Sequence, residues 1–180
     1  MMSLDLASLP SCTRCALSTT RQRVVVGAGP LRPAVMIIGE APGRNEDEGG
    51  EPFIGRSGQL LFRLLEEETG LERSQCFVTN VVKCRPPANR TPTRGEIEAC
   101  RPWIDEQLLQ VAPKVVLAVG ATAARSLFGT VSPMSELHGQ VRALGAAQAL
   151  CTYHPAAALR AANSVVPMMR SDLQILKGLL

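Results

Sequence analysis

"AVMIIGEAPGRNEDEGGEPFIGRSGQLL", from Ala34 to Leu61, sets the fold class. Ala34 to Gly39 is a short apolar run of strand length, and its lack of polar alternation predicts a strand buried on both faces. At Gly39 the run breaks into a mouth dense in glycine and carboxylates, with a single phenylalanine, Phe53. Leu60, Leu61, Leu64 and Leu65 then recur at helical spacing until Gly70 stops the pattern. Strand, polar mouth and helix make one βα unit.

The same grammar recurs along the chain. "CFVTNVV" (Cys76 to Val82), "KVVLAVG" (Lys114 to Gly120) and "ALCTY" (Ala149 to Tyr153) are β-branched or apolar and bounded by breakers. Between them, "TRGEIEACRPWIDEQLLQV" opens with Thr93 and Glu96 as a capping box, "ATAARSLFG" supplies a short helix, and "MMRSDLQILKGLL" closes the chain as an amphipathic helix. No internal repeat or linker interrupts them. The expectation is an α/β protein: a single domain over residues 1–180, a three-layer sandwich with a mostly parallel central sheet.

In such sheets ligands bind beyond the carboxyl ends of the strands. That rule brings three loops to one cleft: "GEAPG", "TNVVKCRPPANR" and "YHPAAALR". "VVVGAGP" contains a Gly-x-Gly, but Pro30 and the missing third glycine exclude a dinucleotide fingerprint.

The composition is 46% hydrophobic and only 3% aromatic, which implies an aliphatic core and makes each aromatic residue informative. Trp103 and Phe62 read as packing. The net charge is +3, and sixteen arginines against three lysines favour bidentate contact with phosphate, so nucleic acid is permitted. "MMSLDLASLP" has no cationic lead, and no stretch approaches the roughly 20 apolar residues of a membrane span, so a cytoplasmic protein is expected.

Six cysteines in a reducing compartment point to a metal site or buried thiols before disulfides. Cys12-x2-Cys15 is a chelate unit, and Cys84-x15-Cys100 adds a second pair from a loop and the following helix. Four thiolates suit zinc or an iron-sulfur cluster, and spacing alone does not separate the two. Cys76 and Cys151 sit inside strands and read as small buried hydrophobes.

"GEAPGRNEDEGGEPFIGRSGQLL", "TNVVKCRPPANRTP" and "YHPAAALR", with the four spaced cysteines, closely resemble the family 4 uracil-DNA glycosylases. The likeness runs in order from Cys12 to the helix after Arg160. It implies the uracil-DNA glycosylase fold, a 4Fe-4S cluster on Cys12, Cys15, Cys84 and Cys100, and removal of uracil from DNA to leave an abasic site. The implied partner is uracil-containing DNA, single- or double-stranded, met by a monomer, with room for a recruiting partner such as a sliding clamp.

The resemblance also assigns roles. Phe53 would be the floor on which a flipped pyrimidine stacks, recovering on the order of 1 to 3 kcal/mol. Asn80 would donate to uracil O4 and accept from N3–H, a pattern that cytosine reverses. His154 would donate to O2, where negative charge grows as the base leaves. Glu40, beside Ala41 and Pro42, Glu46 and Asp47 are each candidates to orient water, with Glu40 ranked first for the pocket and Glu46 a candidate wall near uracil C5. Leu159 would fill the gap left by the flipped base, with Arg160, Arg56, Arg85 and Arg90 on phosphates.

Three departures stand out. Ala41 replaces the aspartate of glycosylases that carry "GQDPYH". His138 stands where the family has arginine before a glycine, and "LRAANSVVPMM" departs from the family's "LRxP" and basic helix. Two alternatives follow: a non-catalytic iron-sulfur protein that binds DNA or damaged bases, and a glycosylase for another deaminated base.

Overall fold

The computed structural model describes residues 5–180. Five strands, β1 (Val35–Gly39), β2 (Cys76–Asn80), β3 (Val115–Val119), β4 (Val141–Leu144) and β5 (Ala147–Thr152), form one sheet in the order β2-β1-β3-β5-β4. All neighbours are parallel except β4, which runs antiparallel to β5 at the edge. Among the described residues seven α-helices accompany them: α1 (Arg44–Gly49), α2 (Arg56–Thr69), α3 (Arg94–Val111), α4 (Ala121–Phe128), α5 (Met134–Leu137), α6 (Pro155–Arg160) and α7 (Ala162–Lys177).

β1 is buried at every position, as its unbroken apolarity requires. Met36 and Ile38 point into a layer with Ile104, Trp103 and Leu127 from α3 and α4. Val35 and Ile37 point the other way, onto Leu61, Leu64, Leu65 and Leu173 from α2 and α7. These two aliphatic layers around one sheet are the three-layer sandwich expected. Among the described residues no helix is long and apolar enough to cross a membrane.

Four local readings are corrected. β4 had no counterpart in the sequence reading: "VRALGAAQAL" folds as a hairpin about Gly145 (φ +59°), and the edge position leaves β4 half-exposed and without a strong apolar pattern. β2 ends at Asn80 rather than Val82, although the N–H groups of Val81 and Val82 still donate to the Gly39 and Glu40 carbonyls. The polar mouth is partly helical: "RNEDEG" is helix α1, and its buried Asp47 accepts the backbone N–H groups of Gln22 (2.9 Å) and Arg23 (3.3 Å). "HPAAALR" starts a helix, with Pro155 at the first helical position, where its fixed φ and missing N–H cost nothing, and α7 begins at Ala162 rather than Met168. The Thr93–Glu96 capping box is present as read, with Thr93 Oγ1 accepting from the Glu96 N–H.

Candidate active site

β1 lies between β2 and β3, and the chain leaves β1 toward β2 but leaves β3 toward the β5–β4 side, so the loops after β1 and β3 diverge and open a crevice at this switch point. The Thr122 hydroxyl, at the start of α4, reaches across and donates to the Glu40 carboxylate. Beside that bridge lies a pocket of about 680 Å³, and Glu40, Ala41, Pro42, Glu46, Phe53, Asn80 and His154 all line it. The three loops that the sequence aimed at one cleft therefore meet there.

Phe53 holds a left-handed backbone (φ +56°), a conformation that costs on the order of 1 to 2 kcal/mol for a residue with a Cβ. Arg73 clamps it by donating to the carbonyls of Pro52 (2.5 Å) and Phe53 (3.3 Å). Gly58 lets α2 pass close by, since a Cβ there would lie 1.8 Å from the Phe53 carbonyl oxygen. The ring is only 7% exposed and packs in the core layer of α2 and α7. Phe53 is thus core and pocket wall at once. Gly39 makes room for it, because a Cβ would sit 2.4 Å from the Phe53 ring and 2.5 Å from Asn80 Oδ1.

Asn80 ends β2 and is 2% exposed. Among the described residues nothing hydrogen-bonds its side-chain amide, which stands at the pocket wall. Its polar atoms reach the pocket space, where a ligand with complementary groups can pair with them.

His154 caps α6 and accepts the Ala156 N–H at Nδ1 (3.1 Å). That bond assigns the ring proton to Nε2. Burial, reinforced by Arg160 and opposed by Glu46, pushes its pKa down to about 4. The imidazole is therefore a neutral donor near neutral pH, and its ring lies 6.1 Å from that of Phe53.

Glu46 is committed: its carboxylate accepts the N–H groups of Gly43 (3.0 Å) and Gly55 (2.8 Å), clipping both ends of the Phe53 loop. Arg56 and Arg160 line the pocket mouth, and Leu159 is exposed beside Arg160. Arg90 grips buried Glu96 with both terminal nitrogens (2.8 and 2.7 Å) and holds that carboxyl down to about 2. Arg85 donates to Asn89 Oδ1 (2.7 Å). Asn89 itself, at φ +55° on the pocket wall, was missed by sequence reasoning; "PPAN" signals a turn but not which way the amide faces.

Cys12, Cys15, Cys84 and Cys100 line one second cavity, and all six cysteines are free. Three of those four sulfurs accept N–H donors: Cys12 from Trp103 Nε1 (3.3 Å), Cys84 from Arg21 (3.4 Å) and Cys100 from the Lys83 backbone (3.4 Å). Trp103, read as packing, has this polar contact as well. Burial lifts the Cys84 thiol to about 11, against the opposing pull of Arg21. Among the described residues no three His, Cys, Asp or Glu side chains surround a single ion. Cys76 and Cys151 are buried in strands, away from this cavity.

Lys83, also missed, is 1% exposed and lies between the two cavities. Its ammonium donates to Gln107 Oε1 (2.5 Å), Thr79 Oγ1 (2.6 Å) and the Asn80 carbonyl (2.7 Å). Burial pushes its pKa down to about 7, with the Cys100 and Cys84 thiols opposing.

The first pocket is thus shaped for a flat ring with its own donors and acceptors, held at the strand ends of a doubly wound sheet. The chain belongs to the uracil-DNA glycosylase superfamily, whose family model, described as Uracil DNA glycosylase superfamily, matches residues 26–175. It is 42% identical over 174 residues to a type-4 uracil-DNA glycosylase of Pyrobaculum aerophilum, covering 92% of this chain and 86% of that one. A type-4 uracil-DNA glycosylase of Thermotoga maritima is 38% identical over 182 residues, covering 99% and 94%. Similarity to a type-5 uracil-DNA glycosylase of Pyrobaculum aerophilum is lower, 32% over 143 residues, 71% of this chain and 63% of that one.

Proposed function

We propose that this chain is a uracil-DNA glycosylase of the type-4 kind, which hydrolyses the bond between deoxyribose C1′ and uracil N1 and leaves an abasic site. The observation that carries the reading is the Asn80 amide, which lines the pocket with no hydrogen-bond partner among the described residues. Uracil offers O4 as acceptor and N3–H as donor, so one amide satisfies both. Cytosine offers the reverse pattern and leaves the amide unpaired, a mismatch that rejects strongly. Relatives named for the same activity support the assignment.

The nucleotide leaves the duplex stack to reach the pocket, at a cost of a few kcal/mol. Stacking on Phe53 offsets part of it. As the C1′–N1 bond breaks, its electron pair moves onto the base, and the neutral His154 donates from Nε2 to the uracil oxygen where that charge collects. Water adds to C1′ and gives up a proton to a pocket carboxylate or to solvent. Glu40, steadied by Thr122, and Asn89 are the wall groups placed to orient that water. Arg56 and Arg160 at the mouth suit the flanking phosphates, and Leu159 the vacated stack. Glu46 shapes the loop through its backbone clip.

Cys12, Cys15, Cys84 and Cys100 would hold a 4Fe-4S cluster. Four thiols lining one cavity, with N–H donors aimed at three of the sulfurs, suit such a group. Held there, such a cluster would tie the N-terminal segment to α3, and no step of the proposed hydrolysis runs through it.

The test is uracil release from a labelled oligonucleotide by anaerobically purified protein, with iron content and visible spectrum recorded on the same sample. Release by a four-iron protein is expected. No release from an intact, iron-bearing sample that still binds uracil-containing DNA would replace the reading with a binding protein.

A further inference from the structure

Asn80 depends on a backbone that the sheet supports on one side only. The Val81 N–H donates to Gly39 of β1 (2.9 Å), and within that peptide the Asn80 carbonyl points the opposite way, off the sheet edge. Among the described residues β2 is an edge strand, covered there by a bridge between Ala28 and Val78, and no strand reaches the Asn80 carbonyl. The Lys83 ammonium fills the position, 2.7 Å from that oxygen.

We propose that Lys83 is a positioning residue for base recognition, standing in for the missing strand so that the Asn80 amide keeps its aim into the pocket. Its other two bonds fix the ammonium itself. Thr79 Oγ1 belongs to the same strand, and Gln107 on α3 is anchored in turn by its Nε2 donating to the Val26 carbonyl (2.6 Å). The lysine thus connects β2, α3 and the N-terminal segment at the one peptide that orients the base reader. A buried lysine is costly unless every donor is used, and here all three protons have acceptors within 2.7 Å. An apolar residue of the same length would fill the slot without fixing the carbonyl.

The inference rests on Asn80 reading the base, and a double-mutant cycle separates the two claims. Lys83→Met, Asn80→Ala and the pair are compared with wild type for kcat/KM of uracil release, each at matched iron content and far-UV signal. Lys83→Met is expected to lower kcat/KM about ten-fold or more in the wild-type background and less than about two-fold in the Asn80→Ala background. Equal losses in both backgrounds, no loss in either, or loss of iron from Lys83→Met would overturn the inference. If Asn80→Ala alone turns over like wild type, the base-reading assignment falls, and this inference with it. Should Lys83→Met fail to fold, Lys83→Gln, which keeps an N–H donor, goes through the same cycle with a smaller loss expected and the same overturning results.

Discussion

Asn80 and Cys84 lie one turn of chain apart and face two cavities finished in different ways. In the strand-end pocket, neither the Asn80 amide nor the His154 Nε2 proton has a partner among the described residues. In the cysteine cavity, three of four sulfurs already take N–H donors and long side chains wall the space. The first arrangement suits a ligand that arrives, is read and leaves. The second suits a group that stays, because its supporting hydrogen bonds need no rearrangement. Unsatisfied polarity, rather than volume alone, marks the site of turnover.

The contrast is broken most directly by removing one pocket donor. His154→Ala should lower uracil release about a hundred-fold or more, because a donor aimed at developing negative charge is lost, while stability falls only by the roughly 0.5 to 2 kcal/mol that loss of the α6 cap costs. A single-turnover assay beside a melting curve checks both halves. On the other side, Cys84→Ser should release iron and lower the melting temperature, with activity falling only as far as the fold around α3 loosens. Iron analysis with differential scanning calorimetry decides it.

A smaller effect should come from Glu46→Gln, which can no longer accept both the Gly43 and Gly55 N–H groups. We expect about 1 to 3 kcal/mol of lost stability and a roughly ten-fold fall in kcat/KM as the Phe53 loop relaxes. Denaturant titration and steady-state kinetics would show whether the two move together.

The mildest prediction concerns pH. The folded His154 titrates near 4, below its unfolded value near 6.5, so the unfolded chain binds the extra proton first. The stability contributed by neutral His154 is complete above about pH 6.5 and is lost as pH falls from there through 4. Uracil release should show no inflection from His154 near pH 6.5, whereas an inflection that vanished in His154→Ala would mean the imidazole is charged in the working range.

Much of this was legible from the chain because the relevant signals are local. Both-face burial of β1 follows from "VMIIG", and the strand-end rule then collects Glu40, Asn80 and His154 without knowledge of a single contact. What escaped depends on partners far away in sequence. Asp47 reads as one more acid in an exposed run until Gln22 and Arg23 are brought to it. Lys83 reads as a surface lysine until Gln107 arrives from α3. Arg90 resembles a phosphate contact until Glu96 is seen to occupy both ends of its guanidinium. β4 was hidden for a different reason: an edge strand with Val141 exposed has little hydrophobic period to display.

The central claim is that a partnerless amide at the end of β2 selects the base. Its most direct test is uracil release by Asn80→Ala against wild type, on the same oligonucleotide and at equal iron content. We predict a loss of at least about a hundred-fold with an unchanged visible spectrum and melting temperature. Release within a few-fold of wild type would contradict it and leave the selection of uracil to groups other than Asn80.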